Sequence, residues 1–190
     1  MGMESRAGMK RRAARIIAIL RTRFPDAHTA LNWSTPLELL VATILSAQCT
    51  DKRVNIVTAD LFRKYRKPED YVAAPLEQFE QEIRGTGFFH SKAKAVRGAC
   101  SMILSDFGGK VPDTMEELVK LPGVARKTAN VVLGDAFNKI EADLMELVPR
   151  KDWTIFAHLL IYHGRATCTA RKPDCEHCPL NKLCPSAFKV

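Results

Sequence analysis

Nowhere does the sequence run apolar for the roughly 18 residues that a membrane-spanning helix needs. Its opening, MGMESRAGMKRR, lacks the apolar stretch of a secretory signal. A membrane-embedded or exported protein is therefore not expected; an intracellular, cytoplasmic one is. Internal repeats and low-complexity tracts are absent too, which removes solenoids and disordered linkers. No segment keeps the apolar-polar alternation of a half-buried strand, so β-structure is not expected either. Acidic side chains are the scarcer charge, 21 Asp and Glu against 29 Lys and Arg. The resulting formal net charge of +8 favours a polyanionic partner, nucleic acid first.

What is present is helical periodicity. A chain of 190 residues is long enough for one ordinary domain or two small ones stabilised by burial. Apolar residues recur at helical spacing along almost all of it, which predicts an all-α fold. RRAARIIAILRTRF reads as an amphipathic helix. Thr35 is placed to cap a helix that opens with Pro36 and continues through LELLVATILSA, and Thr50 to cap DKRVNIVTADLFRKY. PLEQFEQEI is shorter and stops at Gly85-Thr86-Gly87. Ser91 is the expected cap of SKAKAVRGACSMILSDF, which ends at Gly108-Gly109, and Thr114 with Glu117 forms a capping box for MEELVKL. DWTIFAHLLIYHG is the last long helix.

Seven Lys and Arg fall in residues 1 to 30 against only Glu4 and Asp26. Composition reads this equally as a solvated face or as an arm facing nucleic acid. In a reducing compartment, six cysteines point to metal ligands, reactive thiols or core residues rather than disulfides. Cys168, Cys175, Cys178 and Cys184 follow the last helix, separated by six, two and five residues and interleaved with Pro173, Pro179 and Pro185. Such a tail builds no core of its own, so four thiolates on a metal centre would supply the missing folding energy. Structural zinc sites use two close pairs, and only Cys175 and Cys178 make one here. Spacing by itself leaves an iron-sulfur cluster and a zinc site both open, with unligated thiols third. Cys49 and Cys100 lie within or beside helices and read as small buried thiols.

GRATCTARKPDCEHCPLNKLC resembles the 4Fe-4S loop of the endonuclease III family of DNA glycosylases. LSAQCTDKRVN, GFFHSKA and LPGVARKTANVV resemble that family's other signature stretches, in the family's order, from about Ile16 to Cys184. The resemblance implies a helix-hairpin-helix DNA glycosylase fold with a C-terminal 4Fe-4S cluster loop. It implies a helical barrel over residues 30–138, with the hairpin at about 113–137. A cluster domain would be built from 1–29 and 139–190, the amino-terminal helix packing within it. Cys168, Cys175, Cys178 and Cys184 would hold the 4Fe-4S cluster. The implied partner is double-stranded DNA carrying a damaged base or an abasic site, bound by a monomer associated with the nucleoid in the cytoplasm, without a membrane. The implied activity is base excision of oxidised pyrimidines with lyase cleavage at the abasic site. A non-catalytic module that binds damaged DNA is the alternative.

LPGVA between two helices is the expected shape of the hairpin, whose successive backbone N–H groups point at a phosphate without reading sequence. Gly123 allows the close approach, with Ala125 and Arg126 beside it as further DNA-contacting positions. Lys127 falls in the first turn of the following helix, where the helix dipole disfavours a second positive charge, and only a neutral amine is a nucleophile. Read from the residues, Lys127 either pairs with a phosphate or attacks. In the family the matching lysine attacks the sugar carbon bearing the damaged base, expels the base and leaves a Schiff base that permits strand cleavage. Ala125 stands where the family has a second glycine, and a positive φ there would cost about 1 kcal/mol. Gln48 matches the family's glutamine that plugs the gap left by the flipped nucleotide, and Phe88 its apolar wedge. The plainer readings are a helix-terminal amide and an aromatic tucked into the core.

One family element is missing. Members place an aspartate in a V-D-T-H stretch soon after the lysine helix, and V-D-T-H occurs nowhere here. Asp113-Thr114 precedes the hairpin as part of a cap. Asp135 is about 12 Å along the helix axis from Lys127, too far to share one sugar. Glu141, Asp143 and Glu146 lie in KIEADLMELVP, which resembles the family's later helix. Between Phe137 and Lys139 a helix with its flanking loops is absent, leaving only Asn138. Leu133, Phe137, Ile140, Leu144 and Leu147 keep helical spacing across that junction, which predicts one helix over 126–148, continuous or bent only at Asn138.

Overall fold

The structure, a computed structural model, describes residues 4–189. Among these residues it is helical, without strands. Two compact units divide it: Ala30–Phe137, and Met1–Thr29 together with Asn138–Val190. No helix is long and apolar enough to cross a membrane among the described residues.

The Ala30–Phe137 unit forms around α2 (Pro36–Leu45), apolar on every side and buried from Leu39 to Leu45. That is the pattern of a helix surrounded by others. Thr35 accepts from the Glu38 amide at 3.2 Å and starts it, and Thr50 starts α3 (Asp51–Lys64) by accepting from Arg53 N. The sequence reading missed α4 (Pro68–Ala73), which lies N-terminal to α5 (Leu76–Ile83). Tyr65, Tyr71 and Phe79 interlock beneath these helices, with ring centroids 5.0 to 5.8 Å apart. A 3-10 turn, Arg84–Thr86, leads into α6 (Phe89–Asp106), and α7 (Met115–Leu118) and α8 (Arg126–Phe137) complete the unit. Thr114 caps α7 as expected, donating to Glu117 Oε2 at 2.7 Å and accepting from its amide.

Ser91 is not the cap of α6. The helix starts at Phe89, with Phe88 as its cap residue in the left-handed region and the Phe88 carbonyl accepting from Lys92 N at 3.0 Å. Positive φ at Gly87 and Phe88 turns the chain into the helix before Ser91 is reached.

In the other unit, Ser5 caps α1 (Arg6–Arg23) by accepting from Gly8 N. This helix packs against α10 (Trp153–Ala166), and Ile17, Leu20, Ala27, Val148, Leu159 and Leu180 form their core. Between them in sequence lie the single-turn α9 (Ala142–Met145) and a 3-10 turn, Arg150–Asp152.

The predicted helix over 126–148 is not continuous. It ends at Phe137; Asn138 takes φ +50, residues 138–141 are not helical, and Ala142 opens α9. Asn is among the few residues that tolerate this left-handed stop, and its Oδ1 accepts from Thr154 Oγ1 at 3.0 Å. The unbroken apolar spacing serves two cores. Leu133 and Phe137 pack in the first unit, whereas Ile140, Leu144 and Leu147 pack in the second.

Candidate nucleic-acid interface and cluster loop

The hairpin between α7 and α8 is held by its apolar ends. Leu121 and Val124 are buried, and Val124 N donates to Leu121 O at 3.1 Å to close the turn. Gly123 lies between them at φ +76, and a Cβ there would stand 2.6 Å from the Ala95 Cβ. Both the backbone and the neighbouring helix therefore require glycine. Pro122 faces Gly98 on α6, where an added Cβ would meet its ring at 3.1 Å, so the whole turn is seated on small residues of α6.

Ala125 does not take positive φ. The non-glycine residues that do are Gln48, Phe88, Asn138 and Phe188 among those described, so the alanine at the family's glycine position carries no left-handed strain. Its carbonyl starts α8 by accepting from Ala129 N at 3.0 Å. Arg126 and Lys127 follow in the first turn, both solvent-exposed. Because α8 is unbroken from Arg126 to Phe137, Asp135 remains about 12 Å along the axis from Lys127.

Gln48 sits in the turn between α2 and α3 at φ +52, and Phe88 before α6 at φ +48, with 66% of its surface exposed. Phe88 is thus not tucked into the core. Left-handed backbone at a bulky residue costs of order 1 kcal/mol and persists only where the surroundings impose it. Gln48, Phe88 and Gly123 line one recess of about 320 Å³ together with Lys92 and Ala95. Lys127 lies outside that lining.

Lys92, in the lining of that recess, is not among the residues the sequence singles out. Its side chain is buried, and burial lowers its pKa, with Cys49 pulling the other way. The signal was present: Lys92 shares the helical spacing of the buried Val96, Ala99 and Ile103. Cys100 is a buried thiol, pushed up to about 12 by burial, and Cys49 is half-buried against the same core.

In the tail, Cys168, Cys175, Cys178 and Cys184 are free thiols that line one cavity of about 260 Å³. Local bonds shape it: Cys168 N donates to His163 O, Asn181 Nδ2 to Cys175 O, and Cys184 N to Leu180 O. Leu180 anchors the loop in the α1/α10 core. His163 lies beneath, with Nε2 3.6 Å from Cys178 Sγ. Among the described residues no three His, Cys, Asp or Glu groups converge as a single-ion site. Four thiols spread around one cavity with Ile16 and Leu180 in its wall suit a multi-atom iron-sulfur cluster.

The family model of the HhH-GPD superfamily base excision DNA repair proteins matches residues 41–172. That of the iron-sulfur binding domain of endonuclease III matches 168–184. Endonuclease III of Synechocystis sp. is 47% identical over 208 residues, covering 95% of each chain. The chain itself has 190 residues, so this relative carries residues without a counterpart here. Among solved structures, a non-covalent endonuclease III-DNA complex is 40% identical with a TM-score of 0.79, covering 95% of this chain and 97% of that one. A trapped endonuclease III-DNA covalent intermediate, also 40% identical over the same shares, has a TM-score of 0.80. The chain belongs to the endonuclease III family of helix-hairpin-helix base-excision DNA glycosylases, with a 4Fe-4S cluster as its cofactor.

Proposed function

We propose that the chain binds duplex DNA as a monomer at damaged pyrimidines and abasic sites, with Lys127 as the nucleophile of a glycosylase/lyase. The observation that carries this reading is the place of Lys127: exposed, in the first turn of α8, four residues after a Gly123 hairpin that no larger residue could occupy. The 40% identical endonuclease III trapped as a covalent intermediate with DNA supports it.

In this reading the hairpin amides near Gly123 and Ala125, with Arg126, hold a phosphate beside the lesion. Gln48 and Phe88 enter the gap left by the extruded nucleotide. The neutral Lys127 amine attacks the sugar carbon that bears the damaged base, and the base departs with the bonding pair. The amine then gives up a proton as the C1′–O4′ bond breaks with its pair on O4′, leaving a protonated Schiff base; this makes the C2′ proton acidic, and its removal breaks the C3′–O bond and releases the 3′ phosphate. Cys168, Cys175, Cys178 and Cys184 hold the cluster, which supplies folding energy to a tail with little apolar burial of its own.

No V-D-T-H stretch occurs in the sequence, and in this reading the carboxylate that the family uses to assist base departure is lost with it. Excision of intact damaged bases is therefore the weaker activity. At a pre-existing abasic site the base is already gone, and Lys127 needs only to condense with the sugar aldehyde and lose water. A second reading, a damage-binding protein without turnover, draws on the same absence. Borohydride trapping separates the two. A covalent adduct with an abasic duplex, lost in Lys127→Ala, supports the lyase; binding without an adduct leaves the damage-binding module.

A further inference from the structure

Lys92 is a buried cation with no assigned task. On α6 it lies 5% exposed, and its Nζ donates to Leu45 O at 2.8 Å and to Thr86 O at 2.7 Å. Burying an ammonium is costly even when its donors are used, and two backbone carbonyls offset that less fully than a carboxylate would. What the amine joins therefore explains its presence better than any gain in stability.

The two carbonyls belong to the two turns that matter. Leu45 is the last residue of α2, at the negative end of that helix, where a cation is favourable. Three residues beyond it is Gln48. Thr86 closes the 3-10 turn, two residues before Phe88. Both tips are left-handed non-glycine residues, so both would relax if their anchors loosened. The second turn is also held from α3, where Arg53 Nε donates to Gly85 O at 3.1 Å. A Cβ on Gly85 would stand 2.5 Å from Arg53 Nη2.

The geometry points to Lys92 as a positioning residue whose ammonium ties the end of α2 to the Thr86 turn, setting Gln48 and Phe88 at the separation at which both enter one gap in the duplex. This rests on the reading of Gln48 and Phe88 as the gap-filling pair. Without the tie, Arg53 still holds the Thr86 turn to α3, but the direct link to the end of α2 is lost, and part of the cost of setting the two turns falls on the DNA complex.

The test uses the holoprotein and needs no turnover. A duplex carrying a tetrahydrofuran abasic analogue opposite 2-aminopurine reports, by fluorescence, displacement of the opposing base; the same abasic strand alone serves as the reference for affinity. Lys92→Met is expected to lower the preference for duplex over single strand about tenfold, the scale of hydrogen bonds to a charged donor, and to reduce the fluorescence change. In a Gln48→Ala/Phe88→Ala background it should have no further effect on that preference, because the groups it positions are gone. A role confined to stability would instead lower binding to both DNA forms equally and add to the double substitution, and that result overturns the proposal. If Gln48→Ala and Phe88→Ala leave the preference unchanged, the gap-filling reading falls and this proposal with it. If they reduce it and Lys92→Met does not, only the tie is rejected. Lys92→Gln, which retains an amide donor, is read by the same criteria should Lys92→Met fail to fold.

Discussion

Gly123 and the Ala95 Cβ touch across the hairpin so closely that no side chain fits between them: an added Cβ would stand 2.6 Å away. The turn that carries the α8 amino terminus is therefore placed by α6, not by its own loop. Gly123→Ala must both force an L-residue to φ +76 and push α6 aside. Each effect costs about 1 to 3 kcal/mol. A fall in melting temperature of several degrees is expected, with loss of affinity for abasic duplex; an unchanged melt would refute the close seating.

Lys127 is exposed and supports no core. Lys127→Ala should alter stability by less than about 0.5 kcal/mol while abolishing the borohydride adduct. Denaturant unfolding beside the trapping gel separates loss of chemistry from loss of fold.

Ala125 lies outside the positive-φ residues, so restoring the family's glycine relieves nothing. Ala125→Gly is expected to leave affinity for abasic duplex within about twofold and stability within about 0.5 kcal/mol, because glycine's larger entropy loss is offset by its preference over alanine at the residue preceding a helix. Markedly tighter binding, by titration of a labelled duplex, would show that the alanine does strain the turn.

Glu82 provides an acid-sensitive contact. Burial alone would raise its pKa, but hydrogen bonds from Lys64, Tyr65 and Gln78 outweigh burial and hold it below the ordinary 4.5. Tyr65 Oη donates to it at 2.7 Å and Gln78 Nε2 at 3.1 Å. A depressed carboxylate stabilises the fold fully above its unfolded pKa and loses that contribution as pH falls through the folded one. Glu82→Gln should therefore lower stability at pH 7 and flatten the loss between about pH 5 and 3. Parallel acid limbs for the two proteins would reject the contact.

The cluster cysteines make a prediction in colour and in proteolysis. Cys178 is half-buried beside His163 and joins the core that contains Leu180. Cys178→Ser should yield colourless protein whose tail beyond Cys168 is cut first by protease, with the Ala30–Phe137 unit still folded. A brown, protease-resistant variant would remove Cys178 from the ligand set.

The all-α class and most caps could be read from the sequence because they are local. A threonine cap bonds an amide three residues away, so Thr35, Thr50 and Thr114 carry their signal within one helical turn. Ser91 has the same local signal and is overruled, since Gly87 and Phe88 turn the chain two residues sooner. Although the burial of Lys92 is legible in spacing, the exposure of Phe88 and the two carbonyl partners of Lys92 are not. Both depend on where α2 and the Thr86 turn lie in space.

By itself the sequence determined the helical periods, the threonine caps and the four-cysteine tail, each written within a few residues of where it acts. Only the tertiary structure decided which core each apolar residue joins. Leu133 and Phe137 pack in one core, Ile140, Leu144 and Leu147 in the other, although their spacing never breaks. A repeat of three and four records that a residue is buried on a helix face, not against what. That partner is selected by one left-handed backbone angle at Asn138.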